Sequence, residues 1–398
     1  MENSLKDNRD RTFRFLILSR TLRSIATIFA VLSLPLYLLY FTDVETIGIV
    51  FAISGLVTLF ITLGGGFLGD RIGYKKVLML VELPSIAGLT ILALFQSHLL
   101  ILLAVAIGGT AGTPGAMRGA FSPGITPYVA TLWKEQSQRV KKLSMITAVG
   151  SFSALGGSGL LIMKNFIFAG LPGDESFRFL YGVSAVLMVA SLISLSMMIT
   201  DRPKKRNVLI MQKSSGIYTM KVVAGNMFNG AGLGLAIALL PAWLSLRFGA
   251  SSQTVGEIFT GSYLFTGISS YLASRLSDLG REKHVLIGGL SRTFQGILLV
   301  VIAFMPSLLL VASVYFVRSL IAGYGAPLRT AVNVQGISEG DYGSASSIQG
   351  VSMRAAQTTS GASGYLMAYD ISLPLLGGGI LQGIGGLVYY WILKSRDQ

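Results

Sequence analysis

Twelve apolar stretches, each close to the length needed to cross a bilayer, divide this chain at short polar intervals. They run roughly over 14–39, 46–69, 76–95, 99–121, 143–163, 178–200, 217–246, 253–275, 284–304, 307–330, 343–367 and 372–393. A membrane helix needs about 20 mostly apolar residues, so the pattern predicts an all-α integral membrane protein with 12 transmembrane helices. The fourth stretch is the hardest to end. Pro114, Pro123 and Pro127 punctuate it, and a kinked helix continuing toward Trp133 is one course open to it.

Composition excludes the alternatives. Hydrophobic residues make up 52% of the 398 and charged residues only 13%, with a mean hydropathy of +0.65. A soluble protein of this size cannot hide so much apolar surface in one core. There is no cysteine, and the histidines are His98 and His284 alone, which argues against a thiolate or histidine metal centre and any metal cofactor. No nucleophile, base and acid converge as an enzyme would need. The net charge of +14 is not a nucleic-acid footprint, because the Lys and Arg residues fall in alternate loops. Counted with the N-terminus on the inside, 22 of them lie in inside loops and ends, against Lys164, Arg178 and Arg247 outside. That asymmetry predicts an even helix count with both termini cytoplasmic, in the plasma membrane. The start, MENSLKDNRDRTFR, lacks the apolar segment and cleavage site of a signal peptide.

The longest inside linker, 201–216, divides the chain into residues 1–200 and 217–398, and the two parts read as a repeat. Leu34-Pro35-Leu36-Tyr37-Leu38 matches Leu240-Pro241-Ala242-Trp243-Leu244. Thr46-Ile47-Gly48 matches Thr254-Val255-Gly256, and Asp70 then falls on Asp278. Gly115-Ala116-Met117-Arg118 resembles Ala326-Pro327-Leu328-Arg329. Each match is short, but their order and near-constant spacing point to a duplicated six-helix unit.

Between the second and third stretches the chain reads G-F-L-G-D-R-I-G-Y-K-K-V-L, from Gly66 to Leu78. This resembles the loop signature of the major facilitator superfamily, departing from it at Tyr74, where that family prefers Arg or Lys. The copy around Asp278–Lys283 is degraded by one deletion. The resemblance spans essentially the whole chain. It implies two pseudo-symmetric six-helix bundles around a central cavity, lined by helices 1, 4, 7 and 10. Helices 2, 5, 8 and 11 then join the halves, and 3, 6, 9 and 12 lie outermost. It also implies that Asp70 latches the cytoplasmic side, with Gly66, Gly73, Arg71 and Lys75 around it and a weaker latch at Asp278 and Arg281. Asp70→Asn is then expected to favour the inward-open state. The 48 glycines suit close helix packing. Without a strand or a Lys-Ser/Thr ending, they do not form a phosphate-cradling loop.

Charge placed inside the bilayer is costly and usually functional. The stretches hold Arg20, Arg23, Arg118, Arg292, Arg318, Arg329 and Arg354, against the acids Glu82 and Glu257. Arg20 and Arg23, at i and i+3, share one face of helix 1, and their repeat mates Asn226 and Asn229 share one face of helix 7, so the two polar faces are expected to meet across the cavity. Arg318 and Arg354 fall near the midplane, and Gln357 shares a face with Arg354. Because guanidinium suits carboxylate and phosphate, the expected substrate contacts are Arg20, Arg23, Asn226, Asn229, Arg318, Arg354 and Gln357. The competing reading is snorkelling for Arg20 and Arg23, gate capping for Arg118 and Arg329, and an ion pair for Arg292. Glu82 and Glu257 are candidates for proton coupling, with structural pairing as the alternative. Tyr37, Trp243 and Tyr324 are read as packing or interface residues ahead of ligand stacking.

The function expected is a monomeric secondary transporter. It moves a small anionic or amphipathic molecule by rocker-switch alternating access. A proton/drug efflux pump is the second reading and a non-transporting receptor on the same fold the third. Helix 5 lacks the Gly-Pro segment common in proton-driven relatives, and helix 4 has no Arg before Arg118, which weakens the efflux reading.

Overall fold

The computed structural model describes residues 2–109, 112, 124–125, 128–129, 132–133, 136–167, 173–200, 211–273, 281–338 and 341–394. Its elements are α1 (Glu2–Leu38), α2 (Val44–Ile72), α3 (Tyr74–Leu94), α4 (His98–Gly108), α5 (Gln136–Ile167), α6 (Gly173–Ser196), α7a (Lys213–Ile237), α7b (Leu240–Phe248), α8 (Ser252–Ala273), α9 (Arg281–Ala303), α10 (Leu308–Gln335), α11a (Tyr342–Gln357), α11b (Ser360–Tyr369) and α12 (Leu373–Lys394). Counting the two broken helices once each, these are the twelve expected. Among the described residues eight helical runs are long and apolar enough to cross a membrane.

Several boundaries differ from the sequence reading. α1 begins at Glu2, and α5 starts seven residues earlier than the apolar pattern does, because a helix extends past the apolar run once its polar end reaches water. α7a begins at Lys213, inside the stretch read as linker. The described part of the fourth helix ends at Gly108, where Gly109 takes the left-handed conformation at φ 58°. Pro114, Pro123 and Arg118 lie outside the described residues.

Helices 7 and 11 are broken where single helices were expected. In helix 7 the break falls at Ala238–Leu239, with Pro241 in the first turn of α7b, where a missing N–H costs nothing. The matching Pro35 sits inside the continuous α1, so the same Leu-Pro pair gives a break in one half and none in the other.

The bundles repeat one packing scheme. In the first, α1 packs on α5 and α6, α3 on α4 and α6, and α2 on α4. In the second, α7a packs on α11a and α12, α9 on α10 and α12, and α8 on α10. The halves join through α2 with α11a and α11b, α5 with α8, and α1 with α7b and α8.

Those joints gather at one end of the molecule. Where α1 finishes and α2 begins, Phe29, Leu34, Tyr37 and Phe51 belong to one apolar cluster with Leu240, Trp243, Phe259 and Tyr315. At the opposite end the core divides in two. Phe13, Leu16, Leu78, Tyr128 and Trp133 pack within the first half, and Tyr218, Val222, Val285, Val332 and Tyr389 within the second. One shared core at one end and separate cores at the other describe two bundles closed at the end where α2 starts.

Candidate functional site

The two bundles bury polar clusters at equivalent seams, with different chemistry. In the first, Glu82 of α3 is fully buried. Its Oε1 accepts from Arg23 Nη1 of α1 at 3.4 Å and from Ser191 Oγ of α6 at 2.8 Å. Ser19 and Ser191 place their hydroxyls 2.8 Å apart. Glu82 Oε2 has no hydrogen-bond partner among the described residues. The pair therefore aims Arg23 into its own bundle. Arg20 takes a different neighbour: a Cβ at Gly150 of α5 would lie 2.8 Å from its Nε. Successive residues on a helix are 100° apart, so i and i+3 straddle a seam, and here one arginine falls on each side.

In the second bundle amides stand on α7a and the cations come from other helices. Asn226 Oδ1 accepts from Arg292 Nη2 at 2.6 Å. Arg292 also reaches the Gly225 carbonyl at 3.4 Å and lies 4.7 Å over the Tyr389 ring. One turn on, Asn229 Oδ1 accepts from Gln382 Nε2 at 3.1 Å, and Gln382 Oε1 accepts from Arg318 Nη2 at 3.1 Å. Arg318 is 6% exposed. Among the described residues its Nε has no partner, and the ring of Tyr315 is 5.7 Å away. Each half thus engages its polar pair internally, where a meeting of the two pairs across the cavity was expected. Gln382 escaped the sequence reading because helix 12 was assigned an outer place. Its signal was a lone amide in the run Leu373–Lys394, whose one charged side chain is the terminal lysine. Arg354 and Gln357 are half-buried in the last turn of α11a.

The turn between α2 and α3 is a single residue. Gly73 has φ 95° and ψ 145°, and its N–H donates to the Gly69 carbonyl at 3.0 Å. A side chain is strained in that region. Tyr74 lies over Gly69, where a Cβ would come 2.5 Å from the ring, so the departure from the signature is filled by packing. Lys75 donates to the carbonyls of Ser196 and Met198 at 2.8 and 2.6 Å, capping α6 in its own bundle. Arg71 is exposed. Gly66 and Asp70 lie in the last two turns of α2, at the end away from the shared core. Asp278 lies outside the described residues. Arg281 is exposed at the start of α9, 5.7 Å over the Tyr218 ring. Arg329 ties α10 to α9 through Ser291 Oγ at 2.6 Å.

Glu257 is exposed on α8 and accepts from Gln253 at 3.0 Å, as an i, i+4 pair. Tyr37 packs against Phe41, Phe177 and Tyr181 with centroids 5.0 to 5.8 Å apart. Trp243 is buried and donates to the Ile371 carbonyl at 2.8 Å. Tyr324 remains 37% exposed.

Two six-helix bundles with matched seams, joined at one end and parted at the other, define a carrier of the alternating-access class. The model of the Major Facilitator Superfamily matches residues 16–219 and 222–398, and the chain belongs to that superfamily as a multi-pass secondary transporter of small molecules. By sequence, no curated protein matches it. Among solved structures it is similar to the human organic anion transporter MFSD10 (TETRAN), at 16% identity and TM-score 0.63, covering 97% of this chain and 99% of that one. An auto-inhibited peptide transporter of the POT family is similar at 11% identity and TM-score 0.75, with 98% of each covered. The xylose transporter XylE from E. coli, in a partially occluded inward-open conformation, is similar at 13% and 0.72, covering 96% of this chain and 97% of that one.

Proposed function

We propose that the transported molecule is a small organic anion, or an amphipathic molecule with an anionic head, and that the carrier works as a monomer in the plasma membrane. The observation that carries this reading is Arg318. A guanidinium buried to 6% exposure is held by a neutral amide, with no carboxylate in salt-bridge reach among the described residues. Such a group is costly at membrane depth, and a carboxylate or phosphate offers the bidentate partner that the amide cannot. A structural neighbour that is an organic anion transporter accords with this. Arg20, Asn226, Asn229, Arg354 and Gln357 are the further contacts proposed, while Arg23 serves Glu82. For energy coupling we assign the proton to Glu82, whose second oxygen lies buried with no partner among the described residues. Residues 1–200 and 217–398 act as the moving units, joined by 201–216. With both termini cytoplasmic, the shared core lies at the extracellular end and the carrier faces inward.

Flux in proteoliposomes tests this. Uptake of labelled organic anions should rise with an imposed pH gradient, and Arg318→Ala should abolish it while Arg318→Lys retains part. Equal flux of anions and neutral analogues, or wild-type flux in Arg318→Ala, would overturn the anion reading. Orientation is checked in cells with an impermeant maleimide. Tyr369→Cys should label directly, and Lys76→Cys only after permeabilisation.

A further inference from the structure

α11 does not simply end at Gln357 and restart. Thr358 and Thr359 have ψ of −10° and −14°, and the hydrogen bonds through the break run from i to i−3. Thr358 N–H donates to Ala355 and Thr359 N–H to Ala356, at 3.3 and 3.4 Å. Gly361 N–H then donates to Thr358 and Ala362 N–H to Thr359, both at 3.0 Å. This is a short 3₁₀ segment inside a membrane helix, a form that marks hinges. Its carbonyls are served locally. Thr358 Oγ1 donates to Ala355 O at 2.7 Å. Thr359 Oγ1 donates to Ala356 O at 3.0 Å and to Ala231 O of α7a at 2.8 Å. The carbonyls of Ala355, Ala356, Thr358 and Thr359 at the break thus each accept a hydrogen bond, as lipid demands, with neither Pro nor Gly at its two residues.

The break coincides with a change in how closely α11 approaches α2, which both its parts contact. Above it, α11b presses directly on the first turns of α2. A Cβ at Gly48 would lie 2.9 Å from Gly364 N, one at Gly361 would lie 2.9 Å from the Ala52 methyl, and one at Gly364 would overlap the Val44 carbonyl. Beside the break, a Cβ at Gly55 would still meet Thr358 Cγ2 at 3.5 Å. Below it, among the described residues, nothing lies within 4 Å of where a Cβ would go at Gly64 of α2 or at Gly350 of α11a. The pseudo-symmetric joint is built differently: α5 and α8 are both continuous where they meet through Ser158 and Thr260 at 2.7 Å.

We propose that α11b, Ser360–Tyr369, is a separate gate leaf. It pivots at Thr358–Thr359 to open the closed end along α2, while α11a keeps its place in the bundle. The leaf is ten residues long and is held to its own half by Ser363 Oγ, which donates to Leu235 O at 2.7 Å. Opening then begins at this leaf before the bundles rock, and it makes the two joints of the closed end mechanically unequal.

The absence of cysteine allows the full chain to be spin-labelled directly. Label pairs Leu309/Tyr365 and Leu309/Ile348 report α11b and α11a against α10 in the same half, all at exposed positions. Electron–electron distance measurements are made in nanodiscs with and without Gly364→Leu, which drives a side chain into Val44 and Glu45 of α2. The leaf predicts that Leu309/Tyr365 lengthens or broadens while Leu309/Ile348 stays put. Ala52→Leu, which pushes on Gly361 from α2, should do the same and serves where Gly364→Leu fails to fold. An unchanged Leu309/Tyr365 distance in the folded variant, whether or not the halves separate, overturns the proposal. So does an equal shift of both pairs.

Discussion

At the residue scale the decisive side chain is Glu82, because its removal strands a charge. Breaking a buried ion pair from one side costs about 3–5 kcal/mol, whereas replacing both partners by apolar groups is often nearly neutral. Glu82→Ala should therefore lower the unfolding temperature strongly, and Arg23→Met with Glu82→Leu should recover most of the loss. Thermal unfolding of the purified variants separates the two. Proton coupling has its own readout: the double variant should stay folded yet lose the pH-gradient dependence of flux. Gly73 makes a second case. Its φ of 95° with ψ 145° lies near a region essentially reserved for glycine, so Gly73→Ala should cost about 1–3 kcal/mol, read as a lower melting temperature. Sequence spacing placed Arg20 and Arg23 correctly on α1. It could not say which neighbours they would meet, because the side of a seam a residue faces is fixed by helix rotation, which tertiary packing decides.

At the scale of elements the helices were legible wherever apolar length alone specifies them, as in α3, α9 and α12. The breaks in helices 7 and 11 were not. Leu34-Pro35 and Leu240-Pro241 are locally alike, and only the packing around them distinguishes a continuous helix from a broken one. The break in helix 11 carries two threonines, which are unremarkable in a polar-tolerant membrane helix. Glycine spacing was more informative than it first reads. Gly289 and Gly296 of α9 face Gly379, Gly383 and Gly386 of α12 so closely that a Cβ at Gly296 would overlap the Gly379 carbonyl and lie 2.5 Å from Gly383 N. Without a hydrophobic force between helices in lipid, such backbone approach supplies the contact energy. Gly296→Val should accordingly destabilise the second bundle more than Gly159→Val, at a site with open space around it. Limited proteolysis of the two variants in detergent checks the order.

At the scale of the molecule, the way the buried core divides separates this state from the other one the fold requires. A transporter that closes one end by burying a shared apolar cluster must expose part of that cluster to open it, so a wedge in the joint should convert burial into accessibility. Gly256 of α8 is the place to drive it: a Cβ there would lie 2.9 Å from Ile162 Cγ1 and 3.1 Å from the Ser158 carbonyl of α5. The reporter is Leu36, 6% exposed. It lines a cavity of about 210 Å³ where Tyr40 and Phe177 of the first half face Ser245 and Ala250 of the second. In the cysteine-free chain, Leu36→Cys alone should react slowly with a membrane-impermeant maleimide, and adding Gly256→Leu should speed labelling. The same wedge should slow modification of a cysteine at Gly64, because opening one end of a rocking pair of bundles closes the other. Faster labelling at Leu36 with no change at Gly64 would mean that the ends are uncoupled. The closed end would then yield locally, and the carrier would not work as two bodies rocking about one site.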